Sequence, residues 1–264
     1  MSSSFKSSFS ITHITTASAI LHINGINFLT DPVFSPAGTE WDMGLTVLRN
    51  TKGPALQLDD LPVIDAILLS HENHPDNLDE LGRRLLDGRR VLTTEDGARK
   101  LAPRPGVAAL RPRETTKLRV GGEEFEVTGV PCQHLPGGEV TGFLLRAASF
   151  GETNGLPNVI YISGDTVYLE EIPRLLGDYH ISVAIVNVGA VEVAISDPPL
   201  LVTMDGKQAA RLFLEIGADV LVPMHYESWA HFAENGDQLR AVFEEEGIAD
   251  KVQWLEPGVE TKIF

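Results

Sequence analysis

Three side chains of metal-ligating type fall within six residues of the segment Leu68-Leu-Ser-His-Glu-Asn-His-Pro-Asp-Asn-Leu-Asp79: His71, His74 and Asp76. A tight loop of this kind can aim several donors at one or two divalent ions. The same residues also admit a plain structural reading, a polar turn in which Asp76 or Asn77 caps a following helix. Three more donors stand apart: His134 in Pro-Cys-Gln-His-Leu-Pro-Gly-Gly, Asp165 in Ile-Ser-Gly-Asp-Thr, and His225 in Val-Pro-Met-His-Tyr-Glu. Singly, each reads as an ordinary loop residue, and Gly164-Asp165-Thr166 as a turn and cap. Jointly they are harder to set aside, because each follows an apolar, strand-like run.

The runs that must position them can be read from hydrophobic periodicity. Val63–Leu69 is a mostly buried strand leading into His71. Glu124–Val130 precedes His134, Val159–Ser163 precedes Asp165, and Val220–Pro223 precedes His225. Polar groups just past the ends of buried strands are where open α/β proteins place their sites. Ile11–Thr15, Ala19–Ile23 and Ile26–Leu29 are further strands, with Asn24-Gly25 as a hairpin turn between the last two. Lys117–Val120 and Glu124–Val130 flank Gly121-Gly122 as a second hairpin. Val91–Thr94, Val140–Arg146, Val183–Val188, Val252–Leu255 and Val259–Phe264 complete the strands. Leu78–Leu86, Asp96–Leu101, Tyr168–Leu176, Gly206–Ile216 and Asp237–Glu246 read as helices. Residues 1–10 are expected to be frayed, and 147–157 to form an exposed loop outside core and site. Hairpins followed by strand–helix alternation occur twice in this order. That predicts an α/β fold, a four-layer αββα sandwich of two mixed sheets with helices on the outer faces, in a single domain over 1–264.

Bulk properties narrow the function classes. Of the 264 residues, 43% are hydrophobic and 22% charged, so a full globular core is available. The formal net charge of −16 and pI near 4.8 disfavour nucleic acid and anionic membrane surfaces as partners, and otherwise serve solubility. Cys132, the single cysteine, excludes an internal disulfide and a cysteine-based zinc site. A metal must therefore be held by histidine and carboxylate. The N-terminus has no apolar stretch of about 7–15 residues, and no run of about 18 apolar residues occurs. A cytoplasmic location is expected. There is no Walker loop, dinucleotide fingerprint, Gly-x-Ser-x-Gly elbow or basic stripe.

These motifs resemble the metallo-β-lactamase superfamily, with its His-x-His-x-Asp-His loop, distant His, bridging Asp and last His. The likeness covers nearly the whole chain. Residues 12–17 (Thr-His-Ile-Thr-Thr-Ala), 29–34 (Leu-Thr-Asp-Pro-Val-Phe), 163–166 and 223–229 look like motifs of the ascorbate-phosphate lactonase-like branch. The resemblance implies the metallo-β-lactamase fold. It also implies one or two divalent ions, zinc first with manganese or iron as alternatives, held by His71, His74, Asp76, His134, Asp165 and His225, with Asp165 as the bridge. The first loop departs from the pattern. One residue is added between its two histidines, and Asn77 stands where a third His is expected; aligned from the front, Asn73 replaces the second. Either way one imidazole is lost, and a carboxamide suits harder ions better than zinc.

The chemistry implied is attack by metal-bound hydroxide on a carbonyl of a small lactone, lactam, amide or ester. Asp76 is a catalytic candidate, as ligand of the second ion or as the group that orients the attacking oxygen and moves a proton. Tyr226, Trp229, His231 and Phe232 read either as a substrate pocket, with His231 as a catalytic donor to the leaving group, or as an aromatic plug. Asp31 reads as an orienting carboxylate or a turn residue, and the resemblance turns His13 toward the site. His22 and His180 are structural or exposed. The substrate is a small molecule, and the lack of basic residues near the donors argues against a phosphorylated one. Two other functions remain compatible with the sequence: an iron-based redox protein on the same fold, and a non-catalytic ligand-binding protein with an impaired metal site.

Overall fold

The computed structural model describes residues 4–44 and 46–264. Apolar residues alternate along most strands, so each strand sends side chains to two opposite layers. Phe143 and Leu145 enter one layer while Leu144 enters another; Ile160 and Ile162 separate likewise from Val159 and Tyr161. The result is two seven-member strand groups packed face to face. The first sheet runs Glu260–Lys262, Phe9–Thr15, Ser18–Ile23, Ile26–Thr30, Ala66–Leu68, Arg90–Thr93, Val107–Ala109. The second runs Val220–Met224, His180–Asn187, Leu156–Ile162, Thr141–Ala147, Glu123–Pro131, Thr115–Val120, with Glu152–Thr153 paired beside it. Each sheet is antiparallel through its hairpins and parallel where helices intervene.

Three apolar layers follow. Phe9, Leu21, Phe28, Phe125, Phe143 and Ile185 fill the space between the sheets. Helices Gly206–Ile216 and Gly236–Glu245 cover the outer face of the second sheet through Leu212, Phe213, Leu239 and Phe243. Leu78, Leu85, Leu86 and Leu101 cover the outer face of the first. This is the expected four-layer αββα sandwich of mixed sheets. Among the described residues no helix is long and apolar enough to cross a membrane.

Several elements differ from the sequence reading. Residues 4–10 are not frayed: Phe5 packs between Phe150 and Phe264 at ring distances of 4.8 and 4.9 Å, and Phe9 opens a strand. Residues 1–3 lie outside the described residues. Within 147–157, Ala147 and Phe150 are buried and Glu152–Thr153 forms a short hairpin with Leu156 and Pro157, so Phe150 anchors the segment to the core while 151–157 stays partly or fully exposed. Val252–Leu255 makes one bridge, Val252 to Leu221, and no strand. The helix expected over 78–86 shrinks to Glu80–Arg83. Its first turn presses on the Asp31-Pro32 turn so closely that a Cβ on Gly82 would stand 1.8 Å from the Pro32 carbonyl oxygen. Two short hairpins escaped the pattern altogether, Glu40–Asp42 with Val47–Arg49 and Glu192–Val193 with Leu200–Leu201.

Asp79 ties the ligand loop to that neighbouring turn. Its buried carboxylate accepts from Gly82 N at 2.6 Å, Phe34 N at 2.8 Å, Ser35 N at 2.6 Å and the Ser35 hydroxyl. Removing it leaves buried donors without partners, each worth about 1–3 kcal/mol. Asp79→Ala is therefore expected to lower unfolding free energy by about 3 kcal/mol or more in urea denaturation. A loss below about 1 kcal/mol, within the ordinary range for a dispensable contact, would contradict this role.

Candidate metal centre

The strand Ala66–Leu68 ends against Asp31, and that carboxylate sets the first ligand. Asp31 accepts from Ser70 N at 2.6 Å, from Ser70 Oγ at 2.8 Å and from Asn77 Nδ2 at 3.2 Å. Burial pushes Asp31 up to about 7 against the hydrogen bonds from Ser70 that lower it. The Ser70 hydroxyl, having given its proton to Asp31, can only accept from His71 Nδ1, 2.9 Å away. His71 therefore carries its proton on Nδ1 and turns the Nε2 lone pair inward. Burial holds His71 well below the usual imidazole range, and the neighbouring His74 adds to this. Its Nε2 lies 2.9 Å from His74 Nδ1 and 3.9 Å from Asp165 Oδ2.

His134 follows the strand Glu123–Pro131. It donates from Nδ1 to the Val202 carbonyl at 2.7 Å, leaving Nε2 for the site. One ring nitrogen from each of His71, His74 and His134 lies within 4.8 Å of the other two. Asp165 follows Leu156–Ile162 and is fixed by Asn187 Nδ2, which donates to Oδ1 at 2.7 Å. Its Oδ2 turns toward His71 and His225.

His225 sits just past Val220–Met224 with φ of 61°, a left-handed conformation costly for a residue with a Cβ. Its Nδ1 donates to the Val188 carbonyl at 3.3 Å. Its Nε2 is buried, has no hydrogen-bond partner, and faces Asp76 Oδ2 and Asp165 Oδ2, both at 3.4 Å. A lone pair between two carboxylate oxygens is repulsive unless a cation stands among them. That cation is either a proton on Nε2 or a metal ion, and the residues fit the latter. Burial would lower the basicity of His225, yet Asp165 and Asp76 push it up to about 9. Burial likewise opposes ionisation of Asp76, but His225 and His231 hold it well below the usual carboxylate range. His231 Nε2 stands 3.2 Å from Asp76 Oδ2.

All six residues singled out from the sequence as ligands thus meet at one place, beyond the C-terminal ends of strands from both sheets. Other expectations fare differently. Asn77 donates through Nδ2 to Asp31, and its Oδ1 is buried without a hydrogen-bond partner. His13 does not reach the cluster; its Nε2 contacts the Thr16 carbonyl at 3.0 Å, which also accepts from His225 N at 3.1 Å, so it braces the last ligand from behind. His22 pairs with Thr12 and Asn27, and His180 with Asp219. Trp229 is buried and stacks on Trp41 at 4.9 Å, and Tyr226 packs edge-on against Trp254. Both are plugs. Phe232 contacts the rings of His225 and His231 at 4.7 and 4.5 Å. Burial pushes the Cys132 thiol up, and it contacts the Ser163 carbonyl at 3.2 Å. Sequence reasoning missed Ser70 and Asn187. Ser70 had a signal, a hydroxyl beside His71 at a strand end.

The cluster forms the floor of a cavity of about 340 Å³. Its walls are Met43 and Leu48 from one short hairpin, Val191, Val193, Ile195 and Val202 from the other, and Leu135 with Pro136. Arg111, Arg113 and Lys117 lie elsewhere, paired with Glu95, Glu171 and Glu124. No Lys or Arg among the described residues lines the cavity.

A family model described as the beta-lactamase superfamily domain matches residues 26–226. The chain belongs to that superfamily. An uncharacterized protein of Mycobacterium tuberculosis is 27% identical over 223 residues, covering 80% of this chain. The chain spans only about half, 56%, of that relative's length. A UPF0173 metal-dependent hydrolase of Hyperthermus butylicus is 26% identical over 90% of this chain and 92% of its own. Among solved structures, the isothiocyanate hydrolase from Delia radicum gut bacteria superposes with a TM-score of 0.76 at 21% identity, covering 96% of this chain and 98% of its own. That likeness speaks for the metallo-β-lactamase fold.

Proposed function

We propose that this chain is a metal-dependent hydrolase acting on a small, uncharged carbonyl compound such as a lactone, lactam, amide or ester. The observation that carries the reading is the orphaned His225 Nε2, aimed at two buried carboxylates on the floor of an aliphatic cavity. The relatives described as metal-dependent hydrolases support it. His71, His74 and His134 would hold one divalent ion, Asp76 and His225 a second, and Asp165 would face both. An imidazole-rich set suits zinc, with manganese or iron as alternatives.

When bound, a divalent ion lowers the pKa of water to about 7 and polarises a carbonyl oxygen. The chain's own residues do the rest. Ser70 and the Val202 carbonyl fix the ring orientation of His71 and His134. Asn187 holds Asp165 so that one oxygen is left for the site. The two short hairpins shield the floor from water and bind the substrate's apolar body. With no Lys or Arg on the walls, an anionic group on the substrate's body, held away from the ions on the floor, would lose hydration without a partner. The pocket therefore does not suit the phosphorylated substrates that the lactonase-like resemblance brings to mind.

The test is hydrolysis by zinc- or manganese-loaded protein of paired substrates, each an alkyl lactone, lactam or ester with and without a carboxylate or phosphate. An alkyl isothiocyanate belongs in the panel, being uncharged and electrophilic at carbon. The expected result is turnover abolished by chelator and restored by metal, with uncharged members preferred by at least about tenfold, the cost of one modest desolvation penalty. Turnover indifferent to chelation would contradict the metal reading, and preference for anionic members the pocket reading.

A further inference from the structure

The donors divide into two groups. His71, His74 and His134 form a complete trio of imidazoles. Around Asp76 the supply is thinner. The first ligand loop gives that side Asp76 and, beyond it, only the neutral Oδ1 of Asn77, which is buried without a partner while Nδ2 is tied to Asp31; His225 adds one imidazole. The sequence offers no further donor in a ligand motif.

The structure brings one from elsewhere. His231, six residues beyond His225, returns over the cavity floor and places Nε2 3.2 Å from Asp76 Oδ2. The loop carrying it is anchored at both ends. Thr51 N donates to Ser228 O at 2.7 Å and Ala230 N to Arg49 O at 3.0 Å, so the first hairpin clamps it. On the other side Ala233 N and Glu234 N donate to Gly189 O at 3.0 and 3.2 Å. Phe232 packs on both imidazoles, whose ring centroids lie 6.4 Å apart. His231 is mostly buried and lines the cavity with His225, Asp76 and Asp165.

The spacings are those of co-ligands. Donor atoms bound tetrahedrally at about 2.0–2.1 Å from zinc lie about 3.3–3.4 Å from one another. The contacts Asp76–His225 and Asp165–His225 measure 3.4 Å, and Asp76–His231 measures 3.2 Å. A charge-assisted hydrogen bond from nitrogen to carboxylate would close to about 2.7–2.9 Å. All three contacts are longer.

We infer that His231 is a metal ligand: with Asp76, His225 and Asp165 it completes the second ion's site, replacing the imidazole absent at Asn77. This rests on the metal-dependent reading above and changes the role of His231 from proton donor to ligand. It also makes the second site depend on the hairpin Glu40–Asp42 with Val47–Arg49, which holds the loop in place.

The test is equilibrium uptake of zinc and of cobalt(II) by wild type, His231→Ala, His231→Gln and Asn77→Ala, with cobalt absorption in the visible range as a second readout and thermal melts of the apo forms as the folding control. Wild type is expected to take up two ions. Both His231 variants, melting like wild type without metal, should keep one ion at wild-type affinity and bind the other at least about tenfold more weakly, with loss of part of the cobalt absorption. Asn77→Ala should retain two. Two ions of unchanged affinity in a folded His231 variant overturn the inference, as does a wild type whose single ion His231→Ala holds equally well. Loss of the second ion in Asn77→Ala alone would assign the ligand to Asn77 and overturn it too. A folded wild type that takes up no ion would instead refute the metal-dependent reading itself.

Discussion

Asp165→Asn is expected to cost the protein its metal and its activity together while leaving the apo fold intact. Asp165 is the one carboxylate with an oxygen near both donor groups, 3.9 Å from His71 Nε2 and 3.4 Å from His225 Nε2. In the two-ion site proposed above, its charge would offset that of both ions. Replacing a buried, paired charge by a neutral group costs about 3–5 kcal/mol of the interaction it makes, which is about 10²–10⁴ in dissociation constant. The apo protein is a different matter. There burial and Asp76 oppose ionisation of Asp165, while His225, His71 and His134 hold its carboxyl below the usual range. Asparagine keeps the size and a carbonyl acceptor for Asn187 Nδ2, and Asp76 still faces His225 Nε2, so the apo fold should persist with at most a modest drop in melting temperature. Metal binding to the native state raises stability by mass action, and this increment should vanish in the variant. The check is a pair of thermal melts, with and without zinc, for wild type and variant. A variant still stabilised by zinc as strongly as wild type would remove Asp165 from the ligand set.

Gly189→Ala should do comparable harm through the backbone. Gly189 has φ of 96°, and a Cβ there would stand 2.4 Å from the His225 carbonyl oxygen and 2.9 Å from Phe232 Cδ1. The residue opposite, His225, is itself left-handed. Two turns thus press together, one holding His225 Nδ1 through Val188 O, the other receiving the His231 loop through Gly189 O. The methyl group must push His225 out of position, and the left-handed conformation adds its own strain. A loss of about 2–4 kcal/mol in urea denaturation is expected, along with weaker binding of one ion. Gly137→Ala is the control. It too has positive φ, 81°, but nothing lies within 4 Å of its Cβ, so only conformational strain of about 1–2 kcal/mol applies. Equal losses at the two positions would show that the packing of the turns is not what matters.

Legibility in the sequence followed the range of the interactions involved. Asn24-Gly25 and Gly121-Gly122 are local turn signals, and both hairpins fall where those residues put them. The helix over Gly206–Ile216 was legible to the residue because Asp205 caps it and Gly217 ends it in the left-handed region. The candidate ligands were legible because they lie past the ends of buried strands and are of types that rarely stay buried without a partner. What stayed hidden depends on distant contacts. The short helix after Asp79 packs at Gly82 against Pro32, which lies far back in the chain. The two cavity hairpins have strands of only two or three residues, too short for alternation to register, and one is held by Trp229 and Ser228. Phe5 and Phe150 read as tail and loop because the partners that bury them come from opposite ends of the chain. His231 was legible as a candidate donor near the site, but its place beside Asp76 depends on a clamp that no local pattern encodes.

The most direct test of the central claim is anomalous diffraction from a crystal of this protein equilibrated with zinc, with data on both sides of the zinc edge. The account predicts two peaks on the cavity floor, one among His71, His74 and His134, the other touching His225 Nε2 and the Asp76 carboxylate, with Asp165 reaching both. A well-ordered structure with His225 Nε2 free of any ion and zinc confined to the protein surface would contradict it.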